Sequence, residues 1–167
     1  MLTREEEQKD WAAVRALNES AFKSSTEASL VDTLRAKAQP VISIVAEEEN
    51  KVVGHILFSP VSLSDHPRLK IAGLAPMAVT PKLQRKGIGS ALVRTGLEKC
   101  KRLGFGAIVV LGHPEYYPRF GFAPSARFGI GCEYAVPQVW SWSWNPACYV
   151  MPQAPLNIML HSRKLRL

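Results

Sequence analysis

Apolar residues recur at two different periods along this chain, and the switches between them lay out its elements. Trp11, Val14, Leu17, Ala21 and Phe22 fall at helical spacing with Asp10 placed to cap them, which predicts an amphipathic helix over about 10–22. Leu30, Val31, Leu34 and Ala38 predict a second helix that stops before Pro40, because the residue ahead of a proline is pushed out of the helical region. Val41–Ala46 then reads as a strand, Glu48-Glu49-Asn50-Lys51 as a hairpin turn, and Val52–Phe58 as the returning strand. A loop at Ser64-Asp65-His66-Pro67 leads to a strand over 69–79 that Thr80-Pro81 closes. Leu92, Val93 and Leu97 face inward from a helix over 90–103, which Gly104-Phe105-Gly106 ends. Ala107-Ile108-Val109-Val110-Leu111 is apolar throughout, the mark of a strand covered on both faces. The order predicts an α/β chain: a mixed sheet with helices packed on it, and no internal repeat.

Composition narrows the class. A chain of 167 residues, 47% hydrophobic and 21% charged, suits one folded domain and excludes disorder. No apolar run approaches the ~18 residues of a membrane span, and the acidic start Glu5-Glu6-Glu7 is unlike a secretory leader. Cys100, Cys132 and Cys148 form no CxxC pair, which points to a reducing, cytoplasmic setting and no structural metal. Neither Cys100 nor Cys132 has a histidine nearby in sequence to activate it, so neither is expected to carry an acyl group. The net charge of +7 leaves three kinds of partner: nucleic acid, an anionic membrane or a phosphate-rich small ligand. No aromatic-interleaved basic ribbon supports nucleic acid, and no apolar run of spanning length supports a membrane.

The chemistry concentrates in Met77-Ala78-Val79-Thr80-Pro81-Lys82-Leu83-Gln84-Arg85-Lys86-Gly87-Ile88-Gly89-Ser90. Here a strand enters a short loop with glycines two apart, and a long helix follows. Gly87 and Gly89 let the backbone approach a ligand closely, and the first amides of the helix have no partner within it. Together with the positive end of the helix dipole they make an anion site suited to a pyrophosphate. Lys82, Arg85 and Lys86 add full charges around it. A P-loop needs a lysine where Gly87-Ile88-Gly89-Ser90 has none, and a Rossmann fingerprint needs glycine where Leu92 stands. Both of those readings fail.

Gln84-x-x-Gly87-x-Gly89 directly after a strand ending in Val79 resembles the acetyl-CoA motif of the GCN5-related N-acetyltransferases, the GNAT family. Tyr117-x-x-x-Gly121-Phe122 is similar to that family's late tyrosine and its GF turn. Val53-Gly54-His55 resembles the family's third strand, and Glu27-x-x-Leu30-Val31 its substrate-side second helix. Leu111-Gly112-x-Pro114-x-Tyr116-Tyr117 looks like one branch of small bacterial acetyltransferases. The resemblance covers about 1–133 and implies the GNAT fold, a mixed and mostly antiparallel central sheet flanked by helices. It implies acetyl-CoA as co-substrate, a small-molecule or peptide amine as acceptor, no metal, and a monomer or homodimer.

The resemblance also implies roles. An amine attacks the thioester directly in a ternary complex. Backbone groups of Met77, Ala78 and Val79 hold the acetyl carbonyl and pantetheine arm, and Gln84, Arg85, Lys86, Gly87, Ile88, Gly89 and Ser90 line the pyrophosphate. Tyr117 protonates the departing thiolate. No acidic residue lies between Asp65 and Glu98, so the base is sought at Glu115 or His113, with His55 a further candidate whose mid-strand place is commoner for a core histidine. A rival reading is a catalytically weak acyl-CoA-binding sensor that has the cradle but no competent base.

From Tyr134 to Leu167 the composition changes. These 34 residues carry no Asp or Glu and place Trp140, Trp142 and Trp144 in alternation with serine. The segment is an aromatic-faced final strand, a partner-binding surface, or sequence translated out of frame. A shift of two bases over Trp140–Asn145 can read Glu-Leu-Glu-Leu-Glu, an alternating strand. The tail's three basic residues leave +4 on residues 1–133, and residues 82–102 hold seven basic groups against Glu98 alone. The positive charge gathers at the expected phosphate site.

Overall fold

A computed structural model describes residues 1–63, 69–125, 130–132, 139–143 and 156–159. The loop expected at 64–67 and, within the tail, residues 134–138, 144–155 and 160–167 lie outside the described residues. The chain divides into two compact units, Met1–Ser59 with Leu74–Arg102, and Pro60–Gly73 with Leu103–Leu167.

In the first unit the strands run in the order β1 (Leu2–Glu5), β2 (Ile42–Glu48), β3 (Lys51–Leu63) and β4 (Ile71–Val79), with the far ends of β3 and β4 belonging to the second unit. β1 pairs antiparallel with β2, and β2 with β3. The β2–β3 turn holds Glu49 and Asn50 at φ of 50° and 60°, the paired left-handed residues that a two-residue hairpin requires. β3 is apolar almost throughout because both of its faces are covered, and side-chain parity sorts its neighbours. Leu57 joins Val14 of α1 (Trp11–Phe22), Val31 of α2 (Thr26–Lys37) and Val45 of β2 in one buried cluster. Gly54 and Phe58 point the other way, toward α3 (Ile88–Arg102). There a Cβ on Gly54 would lie 2.9 Å from Ile88 and 3.0 Å from Leu92, and one on Gly96 would lie 2.2 Å from the Phe58 ring. Two missing methyl groups, one on the strand and one on the helix, therefore let α3 lie close on β3. Ile88, Leu92, Val93, Leu97 and Cys100 bury the inner stripe of that helix.

In the second unit β5 (Ala107–Leu111) pairs antiparallel with β8 (Val139–Ser143), and β8 with β6 (Ala123–Pro124). β7 (Ile130–Cys132) runs parallel to β9 (Leu156–Met159), which also pairs with the end of β3 at Ser62 and Leu63. The result is the expected class: α/β, with mostly antiparallel strands and flanking helices. The two described stretches of the tail, 139–143 and 156–159, are both strands.

Several boundaries differ from the sequence expectation for identifiable reasons. β1 has no counterpart in it, since a four-residue edge strand with exposed ends shows too little alternation to detect. Asp10 is not the side-chain cap of α1. Its carboxylate instead accepts from the Glu7 amide at 2.9 Å and from the Arg4 guanidinium, which also pairs with Glu47 and so ties β1 to β2. The Arg4 contact holds Asp10 below the usual carboxylate range. The third helix starts at Ile88, two residues earlier than its apolar period suggests, because Gly87 already turns the chain into it.

Candidate active site: a backbone cradle and a tyrosine loop

One candidate region, in the first unit, is built from main chain. β4 ends where the Thr80 amide donates to the Val53 carbonyl at 2.9 Å, and a 3-10 turn at Pro81–Leu83 lifts the chain off the sheet. Gln84 folds back so that Nε2 donates to the Val79 carbonyl at 3.2 Å. The backbone then alternates: Arg85 has φ 64° and Gly87 φ 88°, with Lys86 between them outside the left-handed region. Such alternation turns successive amides toward one side, a concavity that suits an anion. The first helical bond runs from the Ala91 amide to the Gly87 carbonyl at 3.0 Å, so the amides of Ile88, Gly89 and Ser90 precede any partner in the helix. Lys82, Arg85 and Lys86 are exposed around this turn, whereas Lys99, farther along α3, is paired with Glu5. Part of the basic excess in 82–102 thus serves the fold. A Cβ on Gly87 would meet nothing within 4 Å, so glycine is required there by the dihedral alone.

Met77 and Val79 are half-buried at the end of β4 and Ala78 is buried. The structure brings Met77, Ala78, Val79, Gln84, Arg85, Lys86, Gly87, Ile88, Gly89 and Ser90 together in this one strand–loop–helix junction. The residues fit the pyrophosphate of a CoA thioester: amides without helical partners, a helix N-terminus and exposed cations, with no carboxylate in the 80–90 segment.

A second candidate region, in the second unit, is built from side chains. After β5 the chain passes Gly112 and His113, whose carbonyl accepts from the Tyr116 amide at 3.1 Å, and enters a 3-10 turn at Tyr117–Phe120. Gly121 ends that turn at φ 89°, which explains the glycine of the GF pair. Tyr117 is buried, edge-on to Tyr116 at 5.1 Å and to Phe122 at 5.5 Å. Burial pushes its phenol up to about 12, so the hydroxyl stays a proton donor across the physiological range. His113 and Glu115 are exposed on the same loop. Arg119 lies over the Tyr116 ring at 4.0 Å, and the Tyr116 hydroxyl is buried without a partner.

His55 is a core residue. It is fully buried on β3, with Nδ1 3.3 Å from Asn18 Nδ2 and Nε2 2.9 Å from Ser43 Oγ. Burial, and then the charge of Arg35, push its pKa down to about 3, so it stays neutral, enclosed and away from solvent. Burial also raises the Cys100 thiol to about 12, which leaves it unreactive. Sequence reasoning placed Gly112 in a motif and Trp140 in the tail but gave neither a role. Trp140 Nε1 donates to the Gly112 carbonyl at 3.2 Å, and a Cβ on Gly112 would lie 2.2 Å from the Tyr117 ring. Among the described residues no group of His, Cys, Asp and Glu is placed to hold a metal ion, and no helix is long and apolar enough to cross a membrane.

Residues 11–122 match the model of the acetyltransferase (GNAT) family. The chain is 37% identical over 163 residues to the uncharacterized N-acetyltransferase YjhQ of Escherichia coli K12, covering 92% of this chain and 86% of that one. It is 36% identical over 135 residues to the N-acetyltransferase YhbS of the same strain, covering 80% of each. The crystal structure of Escherichia coli YhbS in complex with CoA superposes with a TM-score of 0.85 at 29% identity, over 95% of this chain and 89% of that one. A GNAT acetyltransferase from Brucella melitensis in complex with acetyl-CoA gives 0.76 at 35% identity, over 93% of each.

Proposed function

The chain belongs to the acetyltransferase (GNAT) family and is an N-acetyltransferase, and from that premise we propose that it moves the acetyl group of acetyl-CoA onto a primary amine by direct attack in a ternary complex. The observation that supports this reading is the main chain at 85–90, where alternating dihedrals lead into the N-terminus of α3. CoA and acetyl-CoA in the Escherichia coli and Brucella relatives support it.

In this reading acetyl-CoA supplies an activated thioester carbonyl. The amides of Ile88, Gly89 and Ser90, with those of Arg85, Lys86 and Gly87, hold the pyrophosphate, while Lys82, Arg85 and Lys86 attract it from solution. Backbone groups of Met77, Ala78 and Val79 orient the thioester, and Gln84 contributes by bracing the Val79 carbonyl rather than by touching the ligand. The Tyr117 hydroxyl, kept neutral by burial, donates to the sulfur as the C–S bond breaks. Glu115 or His113 receives the amine proton, directly or through water; His55 is enclosed and takes no part. The reaction belongs in the cytoplasm, where unpaired cysteines such as Cys100 stay reduced. Residues 1–133 carry it and 134–167 complete the domain.

Free-CoA release by the purified chain, with acetyl-CoA and a pool of primary amines, tests the proposal. Release that rises with amine and yields the N-acetyl product is expected. Tight acetyl-CoA binding with no amine-dependent release in any pool would leave a binding module and overturn it.

A further inference from the structure

The loop after β5 carries a glycine whose need is not conformational. Gly112 does not lie in the left-handed region, so its backbone accepts any L-residue. What it excludes is a side chain. A Cβ there would lie 2.2 Å from Tyr117 Cε2, 3.0 Å from Cδ2 and 3.1 Å from Cζ, that is, along the edge of the ring nearest the hydroxyl. Ring carbons cannot be approached that closely, and the ring is not the loose end of a flexible chain. It is buried, with Tyr116 edge-on at 5.1 Å and Phe122 at 5.5 Å. Any side chain at 112 must therefore swing the phenol away.

The same glycine is held from its other polar group. Trp140, opposite Val110 in the β5–β8 ladder, donates Nε1–H to the Gly112 carbonyl at 3.2 Å. This gives the tryptophan of an otherwise unexplained Trp-Ser-Trp-Ser-Trp run a task. The indole anchors the peptide against which the tyrosine packs.

We propose that Gly112 and Trp140 are positioning residues for the Tyr117 hydroxyl: the absent side chain of Gly112 makes the seat for the ring, and the Trp140 hydrogen bond keeps that seat in place. The proposal rests on Tyr117 acting as the acid, and its test keeps the two apart. Three observations are needed on the intact chain. The first is the Tyr117 ring resonance, identified by its loss in Tyr117→Phe. The second is acetyl-CoA affinity by calorimetry. The third is kcat for CoA release from acetyl-CoA with the amine pool.

Gly112→Ala should shift the Tyr117 resonance and lower kcat about 10- to 100-fold, the range expected for an ångström of misplacement, with acetyl-CoA affinity within about threefold. Trp140→Phe keeps the aromatic bulk, loses the hydrogen bond, and should lower kcat about two- to fivefold, in line with a single hydrogen bond. The deciding measurement is the double variant. In a Tyr117→Phe background, Gly112→Ala should lower kcat no further, because no hydroxyl remains to misplace. Additive losses, or an unmoved Tyr117 resonance in Gly112→Ala, would overturn the proposal. If Tyr117→Phe itself leaves kcat intact, the acid assignment fails, and the ring shift in Gly112→Ala still reports whether the seat exists. Should Gly112→Ala fold poorly, Trp140→Phe alone and in the Tyr117→Phe background gives the same cycle.

Discussion

The loop at 84–90 and the loop at 112–122 are both short, both punctuated by glycine and both assigned to the same reaction, yet they are made of different materials. The first offers main-chain amides, and the side chains of Gln84, Arg85 and Lys86 are exposed. The second offers a buried phenol set by aromatic neighbours at 5.1 and 5.5 Å. A site made of backbone depends on dihedrals and tolerates side-chain change. A site made of a side chain depends on packing, and a single methyl group can displace it. Changes in the first loop should therefore move acetyl-CoA affinity, and changes in the second should move turnover.

The largest expected effect tests that division at the tyrosine. Tyr117→Phe should lower kcat by about 10²–10⁴, the usual worth of a general acid, with acetyl-CoA affinity nearly unchanged by calorimetry. Because burial raises the Tyr117 phenol to about 12, its acid form persists as pH rises, so a fall in kcat between pH 7 and 10 belongs to another group. Tyr116→Phe is the paired control, since its hydroxyl is also buried and lacks a partner. A loss in Tyr116→Phe with none in Tyr117→Phe would move the acid by one residue.

The two histidines sharpen the contrast next. His113 is exposed on the tyrosine loop, while His55 is buried in the core on β3. His55 has a folded pKa of about 3 against 6.5 when free, so the unfolded chain binds a proton that the folded chain refuses. Its contribution to stability is complete above pH 6.5 and is lost as pH falls from there toward 3, by up to about 1.4 kcal/mol per pH unit. Asp10, whose folded pKa is lowered from 3.8, adds its own loss only below that value. Urea unfolding between pH 4.5 and 7.5 should show this slope in the native chain and a flatter one in His55→Gln. His113→Gln should lower kcat if His113 is the base, a result that Glu115→Gln gives if the base is Glu115.

The same contrast explains what could be read from sequence. Gly87 was legible because an anion cradle needs a left-handed dihedral, and that need forces glycine at a fixed distance from the strand end. Gly121 was legible only through its resemblance to a family turn, and its φ of 89° supplies the physical reason. Gly112 was not, since its requirement comes from the ring of a residue five positions later and has no local signature. Nor was the positive φ of Arg85, where an ordinary side chain occupies the left-handed region. The hairpin at 48–51 and the buried strands followed from period and turn residues, whereas β1 and the true role of Asp10 depend on a contact with Arg4 that no spacing announces. Local geometry writes itself into residue type; packing across the chain does not.

Gly87→Ala comes third. Nothing lies within 4 Å of the added Cβ, so its whole penalty is the dihedral at 88°, about 1–2 kcal/mol. If the loop keeps its shape that penalty appears as lower stability, and if the loop relaxes it appears as an acetyl-CoA affinity weakened about tenfold. Either way kcat at saturating acetyl-CoA should hold. A collapse of kcat with intact affinity would mean that the cradle, too, works by placing a reacting group.

The smallest effect separates the two properties that Arg85 combines, a charge and a left-handed backbone. Arg85→Ala and Arg85→Gly remove the same exposed charge, so both should weaken acetyl-CoA binding by the same few-fold factor, corresponding to about 0.2–1 kcal/mol. That loss should shrink as salt is raised. The two variants differ in the backbone at φ 64°, where alanine keeps the strain and glycine removes it. Arg85→Gly should therefore unfold at higher urea than Arg85→Ala, by about 1 kcal/mol at the midpoint. Equal stabilities would show that the loop relaxes freely around residue 85. An affinity gap between the two variants would show instead that the dihedral at 85, and not only the one at Gly87, aims the amides at the phosphate.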